Sequence, residues 1–233
     1  KAACEALLEG YTEKMKDGGK PLVLGEKHIW LRKIAENQLK DPAAFWDALS
    51  SLPELKKPLP EGARAALEAT LPEPGLGYRV AHRSAGMGSR GRQRFVALAD
   101  WRGGKIARET KPLVPSACTR TQSAGKKEIF YEELLSHAVR CRDPFVHLHG
   151  NWIVRRLAPD CIKIELSALP DTAMEEKLLH AMGAETANVH LGSPAAVADT
   201  RRDLSKRPAG WLLDAAKKMA EATVSDWKDW KKS

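Results

Sequence analysis

The sequence has few cysteines and no long apolar run. Its four cysteines are widely separated and form no Cys-x-x-Cys pair, so it predicts neither a zinc site nor a disulfide framework. No stretch approaches the roughly 18 apolar residues of a membrane-spanning helix, and residues 1–20 lack the layout of a signal peptide. We therefore predict a cytoplasmic protein without a membrane partner.

Several catalytic signatures are also missing. The sequence contains no Gly-x-Ser-x-Gly elbow, no Walker lysine motif and no His-Glu-x-x-His zinc helix. His147 and His149 form a His-x-His pair ahead of a predicted strand, but no carboxylate or cysteine stands at a useful spacing. We predict a structural role for both histidines and no metal site built by them.

Length and charge describe a globular chain with a basic excess. Its 233 residues, 43% of them hydrophobic, can bury a core as one large domain or two small lobes. Lys and Arg number 38 against 30 acidic residues, which gives a net charge of +8. This excess suits a protein with an anionic ligand and is compatible with weak nucleic-acid contact.

Hydrophobic spacing predicts helical ends and a strand-rich middle. The predicted helices cover residues 2–16, 26–39, 62–70 and 127–140, with others beginning after Asp41, Asp171, Ser193 and Arg207. The predicted strands cover residues 78–85, 94–101, 105–111, 151–157 and 161–166. Ala158-Pro159-Asp160 is expected to join the last two strands as a hairpin.

This order of elements predicts an α+β chain in three segments. The first is helical and is the tail of a preceding helical lobe, the second is a small antiparallel sheet lobe with one helix, and the third is helical. Their predicted bounds are residues 1–74, 75–170 and 171–233, and the boundary after the first is marked by Pro53, Pro58, Pro60, Pro72 and Pro74. The sheet itself is placed at about residues 78–168.

A glycine-rich loop lies between the first two predicted strands. Gly86, Gly88 and Gly91 have the spacing Gly-x-Gly-x-x-Gly. In a dinucleotide-binding domain such glycines lead from a strand into a helix, whereas a loop between two strands is typical of the phosphate-covering loop of protein kinases. The alternative is that the glycines serve only as turn residues of a hairpin.

Later residues follow the order of a kinase N-lobe. Lys111 ends the third predicted strand, where a kinase carries its phosphate-binding lysine, and Glu133 or Glu132 lies on the next helix, where a kinase carries the glutamate that holds this lysine. Residues 151–166 and 167–170 would supply two strands and a hinge. Two alternatives stay open: Lys111 is an ordinary exposed strand end, or Glu109 on the same strand face pairs with it.

Arginines crowd the same region. They would add positive charge for an anionic ligand, with Arg83 or Arg90 as candidates, or they would form a solvated sheet edge that discourages strand addition. The arginines concerned are Arg79, Arg83, Arg90, Arg92, Arg94 and Arg102.

Four segments together resemble the bacterial domain-of-unknown-function 2252 family (DUF2252). That family shows, in order, a Gly-x-Gly-Ser-x-Gly segment, a Lys-x-x-x-Pro-Ser segment, a Val-Arg-x-Leu strand and an Ala-x-x-His helix. The corresponding segments here are residues 86–94, 109–117, 152–157 and 185–190, and the resemblance spans most of residues 75–192.

The resemblance implies a fold similar to that of the protein-kinase and aminoglycoside-phosphotransferase superfamily. In the family, a Gly-Asp-x-His-x-x-Asn and an Asn-Asp-Phe-Asp segment precede the glycine loop and would carry the catalytic and metal-binding acids. Neither segment occurs here, and the chain begins at Lys1 within a predicted helix. We therefore expect a C-terminal portion of a longer protein, inactive alone. Glu109 departs from kinases, which carry a small residue two positions before the lysine.

These observations predict an ATP-binding, phosphotransferase-like module that uses Mg and acts on an unidentified small-molecule or protein acceptor. Lys111 would contact the α and β phosphates and Glu133 would hold Lys111, while backbone amides would cover the phosphates at Gly86, Met87, Gly88, Ser89 and Gly91. No catalytic residue is assigned within the chain. The alternative is a non-catalytic, pseudokinase-like binding or scaffolding protein with weak nucleic-acid contact.

Overall fold

The structure is a computed structural model that describes residues 1–23, 27–37, 39–86, 91–116, 129–169 and 171–232. Within these residues the chain forms eight α-helices and one five-stranded antiparallel sheet. The predicted α+β class and antiparallel sheet are therefore confirmed.

Two compact units are assembled from separated stretches of chain. The helical unit comprises Lys1–Leu31, Leu134–Cys141 and Glu165–Ser233, and the sheet unit comprises Arg32–Glu133 and Arg142–Ile164. Each predicted segment is one continuous stretch of the chain, whereas each unit combines stretches that are far apart in the sequence. The candidate site described below lies wholly within the sheet unit.

The sheet has the strand order β1-β2-β3-β5-β4, with every neighbouring pair antiparallel. Its strands are β1 Arg79–His82, β2 Phe95–Trp101, β3 Gly104–Pro112, β4 Val146–His149 and β5 Trp152–Leu157. Arg102 and Gly103 join β2 to β3 with φ angles of 48° and 81°. Left-handed angles at both central residues are typical of a tight two-residue hairpin.

The last hairpin of the sheet differs from the prediction. A strand over residues 161–166 is wrong: the partner of β5 is β4, which precedes it, and Gly150 turns between them with φ 53°. His147 and His149 therefore lie within a strand rather than before it, and both are exposed. Cys161 N–H donates to Ala158 O at 2.9 Å, so the predicted turn is present. The residues that follow it do not form a strand of the sheet.

Helices pack on both faces of the sheet. These helices are α3 Pro42–Ser50 and α4 Glu61–Glu68, whereas α2 Ile29–Glu36 and α5 Tyr131–His137 each have residues in both units. Leu49 of α3 packs against Val96 and Leu98, whereas Leu67 of α4 packs with Ala97 and Val154. Because neighbouring side chains of a strand point to opposite faces, the sheet has an α3 face and an α4 face.

Local signals at helix starts were predicted correctly. Asp41 caps α3 by accepting from Ala44 N–H at 2.7 Å, with Pro42 as its first residue. In the helical unit, Asp171 likewise caps α6 by accepting from Met174 N–H at 2.8 Å. The helices of this unit are α1 Ala2–Asp17, α6 Thr172–His190, α7 Pro194–Lys206 and α8 Trp211–Trp230. None of the helices in the described ranges is long and apolar enough to cross a bilayer.

Two glycines bring α1 and α6 into backbone contact. A β carbon on Gly183 would lie 2.0 Å from Leu7 O, and one on Gly10 would lie 2.0 Å from His180 O. Below this crossing, the buried Asn188 donates to Lys20 O at 2.9 Å and accepts from Lys20 N–H at 3.2 Å. The absence of side chains at the crossing is therefore a condition for this helix pair to form.

We predict that Gly183→Ala destabilises the helical unit. Alanine gains about 1 kcal/mol in helix propensity, but the added methyl group overlaps a backbone oxygen that cannot rotate away. We expect a net loss of about 2 kcal/mol in the free energy of unfolding. Urea denaturation, monitored by the far-UV circular dichroism signal of the helices, measures this change. Gly77→Ala is the control because no atom lies within 4 Å of its added β carbon, and equal stability of the two variants would contradict the prediction.

Candidate functional site

A buried carboxylate with three arginines lies on the α3 face of the sheet. Glu109 of β3 has only 1% of its surface exposed. Its Oε2 accepts from Arg83 Nη1 at 2.5 Å, and its Oε1 accepts from Arg94 Nη1 at 2.8 Å and from Arg155 Nη2 at 3.1 Å. We call these four residues the Glu109 cluster.

Strand register brings the four residues together. Glu109 is paired with Val96 on one side and with Arg155 on the other, so the three side chains share one face. Arg94 lies two residues before Val96 and therefore on the same face. Arg83 follows β1 and donates its backbone N–H to Arg94 O at 3.0 Å, which places it opposite Arg94.

The arginines keep the buried carboxylate ionised. Burial raises the pKa of Glu109, but the charges of Arg83 and Arg94 and the hydrogen bond from Arg83 outweigh it, so the pKa lies below its ordinary value. Three guanidinium groups face one carboxylate, and the cluster therefore carries excess positive charge. An anion from solution can be attracted to it even though Glu109 is already present.

A small cavity with three cationic side chains adjoins the cluster. It has a volume of about 240 Å³ and is lined by Arg92, Arg94 and Lys111, together with Gln93 and the apolar residues 112–114. We call it the basic pocket. Its volume is below the range of roughly 300–1,000 Å³ that holds a whole small molecule, so it suits one part of a ligand, such as a phosphate group.

Lys111 is the half-buried amine of this pocket. It forms no ion pair with any residue in the described part of the chain. Burial lowers the pKa of Lys111, and the positive charges of Arg155 and Arg94 lower it further, against a weaker opposing effect of Glu109. An anionic ligand would relieve this repulsion, which favours a site for negative charge.

Arg94 also has an unused donor. Its side chain is 12% exposed, and its Nε is buried without an acceptor among the described residues. A buried N–H group that makes no hydrogen bond costs about 1–3 kcal/mol, and more where the group is charged. Arg94 also lines the basic pocket, and guanidinium groups bind oxyanions through charge-assisted hydrogen bonds.

The residues predicted to bind the cofactor are only partly described. Gly86 and Gly91 are exposed, with φ angles of 71° and 72° that favour glycine, while Met87, Gly88 and Ser89 lie outside the described residues, as does Arg90. Glu133 is exposed on α5 and makes no ion pair with Lys111 in the described structure. Its predicted role as the holder of Lys111 has no contact to support it.

The alternatives left open by the sequence have different outcomes. Lys111 is half-buried, so it is not an ordinary exposed strand end. Glu109 lies on the same face as Lys111, but its oxygens contact arginines instead. Arg83 and Arg94 are 25% and 12% exposed, and thus are not part of a solvated edge.

Sequence reasoning did not find the Glu109 cluster. Arg155 was noticed only as part of a strand that resembles a family motif, and its contact with Glu109 depends on the register of β3 with β5. The signal that could have revealed the cluster was a charged residue at position 109, between the buried Ala107 and the end of β3. It indicates that a counter-charge must come from a neighbouring strand.

A second cavity has a different character. It has a volume of about 830 Å³ and lies between α4 and the chain around Leu55 and Tyr78. Tyr78 Oη donates to Glu68 Oε1 at 2.8 Å, and burial, assisted by this hydrogen bond, raises the pKa of Tyr78 to about 12. Its lining mixes apolar residues with charges of both signs and contains no residue of the predicted site, so the basic pocket is the better candidate.

No group of three or more His, Cys, Asp or Glu side chains could hold a metal ion within the described ranges. The carboxylate of Glu109 is already hydrogen-bonded to three arginines. The basic pocket, lined by Arg92, Arg94 and Lys111, is suited to binding an anionic group by cationic side chains.

We predict that Lys111 titrates below the ordinary value of about 10.4 for lysine, because its charged form is disfavoured by burial and by neighbouring cations. The pH dependence of trace acetylation, with mass spectrometry of the β3 peptide, measures this midpoint. Arg155→Gln should raise the midpoint because it removes one repelling charge, whereas Arg102→Gln, on the exposed turn after β2, should leave it unchanged. A midpoint that does not respond to Arg155→Gln would argue against the predicted coupling.

The comparisons with known proteins leave this geometry as the basis for interpretation. No family model matches the chain, and neither a curated protein nor a solved structure is significantly similar to it.

Proposed function

We propose that the chain is the nucleotide-binding part of an ATP-dependent, phosphotransferase-like protein, with phosphates of ATP bound in the basic pocket. The observation that carries the proposal is one cavity lined by three cationic residues, Arg92, Arg94 and Lys111. Lys111 forms no ion pair with any of the described residues. A phosphate group would pair with Lys111 and with the guanidinium group of Arg94.

Charge favours a phosphate over a neutral ligand. Arg92, Arg94 and Lys111 line the pocket without a carboxylate among them. Two opposite unit charges at 4 Å attract one another by about 4 kcal/mol near a protein surface, so several cations around one phosphate provide substantial binding energy. The small volume agrees with a site for phosphates whose nucleoside lies outside it.

The position of the pocket supports a kinase-like arrangement. The glycine-rich segment lies between β1 and β2, and Lys111 lies near the end of β3, on the strand where a kinase-like lobe carries its phosphate-binding lysine. The lining of the basic pocket contains no carboxylate that would hold Mg²⁺. We propose that the acids that would hold it, like the catalytic base, lie in a part of the protein beyond this chain.

The division of roles has a chemical consequence. Residues of this chain would bind and orient the phosphates, while proton transfer and metal binding need carboxylates that the basic pocket does not contain. We therefore propose that the isolated chain binds nucleotide without transferring its phosphate. A pseudokinase-like binding protein would share the first property, and activity of a longer protein would distinguish the two.

We predict that Lys111→Ala weakens ATP binding about tenfold or more, because a hydrogen bond to a charged group contributes about 1.5–3 kcal/mol. Isothermal titration calorimetry with ATP, with and without magnesium and at fixed ionic strength, measures the change. Lys105→Ala is the matched control: Lys105 lies on the same strand, is exposed, and is 3.6 Å from Asp100 rather than in the pocket.

Equal affinity of wild type and Lys111→Ala for ATP would overturn the proposal. Binding of a single-stranded oligonucleotide with a steep linear dependence on log salt concentration would instead favour the nucleic-acid alternative. A phosphate pocket should show a shallower salt dependence and a response to magnesium.

A further inference from the structure

Arg94 belongs to both the Glu109 cluster and the basic pocket. Its Nη1 donates to Glu109 Oε1 at 2.8 Å, while the residue also lines the cavity that contains Lys111. One guanidinium group thus faces a buried carboxylate of the protein and a space suited to an anion. An anion bound by Arg94 in the pocket would share this guanidinium with Glu109.

We propose that Glu109 is a specificity-determining residue of the basic pocket, because its carboxylate is a resident anion that competes with ligands for Arg94. The inference rests on the proposed function, since it takes phosphate as the ligand of the pocket. By occupying Arg94, Glu109 weakens the binding of every anion. Only a ligand that adds further charge or contacts, as the linked phosphates of a nucleoside triphosphate do, then binds tightly.

The geometry allows this competition because the carboxylate does not depend on Arg94 alone. Oε2 is bound by Arg83, and Oε1 is bound by both Nε and Nη2 of Arg155, at 3.2 Å and 3.1 Å. Glu109 would therefore keep partners when a ligand takes part of Arg94. The exchange replaces one charge-assisted hydrogen bond by another of the same kind.

A purely structural role for Glu109 predicts the opposite effect. If the carboxylate served only to hold Arg94 in place, its removal would misplace the guanidinium and weaken anion binding. If it is a resident anion, its removal raises the positive potential in the pocket and strengthens binding. The sign of the change in phosphate affinity therefore separates the two roles.

The test measures binding of inorganic phosphate and of tripolyphosphate to wild type and to Glu109→Gln by calorimetry. We expect Glu109→Gln to bind inorganic phosphate about tenfold more tightly or better, given the strength of charge interactions at short range. Glu68→Gln is the matched control, because it removes a hydrogen-bonded carboxylate of the same unit that lies in the other cavity. Its phosphate affinity should equal that of wild type.

Glu109→Gln leaves three arginines without their carboxylate and is expected to lose stability. The double variant Glu109→Gln with Arg83→Gln removes one charge of each sign and keeps Arg94, and Arg83 is not among the residues that line the pocket. It should fold and should still bind phosphate more tightly than wild type, although the net charge is unchanged. If a variant is unfolded without ligand, its phosphate affinity is measured instead by the phosphate concentration at which it folds.

The outcomes separate the two hypotheses. Unchanged or weaker phosphate binding by Glu109→Gln and the double variant, or failure of phosphate to restore their folding, would overturn the role of Glu109. If Lys111→Ala weakens ATP binding at the same time, the proposed function survives that result. If Lys111→Ala has no effect on ATP affinity, the proposed function fails whatever Glu109→Gln does.

Discussion

The buried carboxylate of Glu109 ties together four of the five strands. Glu109 lies on β3, Arg155 on β5, Arg94 directly before β2 and Arg83 directly after β1. The apolar part of the α3 face holds three of these strands, β2, β3 and β5, through Val96, Leu98, Ala107 and Leu157, which pack under Leu49. The sheet is thus held by packing at one end of this face and by charge at the other.

Stability alone does not explain such a cluster. Removing charged groups from water costs several kcal/mol per ion, and the attraction between buried partners often only balances this cost. Apolar residues in the same positions would hold the strands equally well. What they would not provide is a fixed excess of positive charge beside the cavity that Arg94 and Lys111 line. The anion site that we propose beside the cluster would account for its charges.

Local signals predicted most of the fold, and tertiary contacts account for what they missed. Caps at Asp41 and Asp171, the turn at Arg102 and Gly103, and the order of β1 to β3 depend on residues close in sequence. The β4–β5 hairpin was misplaced because β-rich runs lie on both sides of β5, and only pairing across the sheet decides between them. The place of Lys111 on β3 was predicted from the order of the strands, but the partners of Glu109 required the strand register.

The same register links the glycine-rich segment to the pocket. Arg83 and Arg94 are the residues before and after that segment, and they are joined by a backbone hydrogen bond of 3.0 Å and by their shared carboxylate. If an anion takes Arg94 from Glu109, Arg83 and Arg155 still hold the carboxylate. This exchange requires Glu109 to be charged, and its lowered pKa keeps it charged at neutral pH.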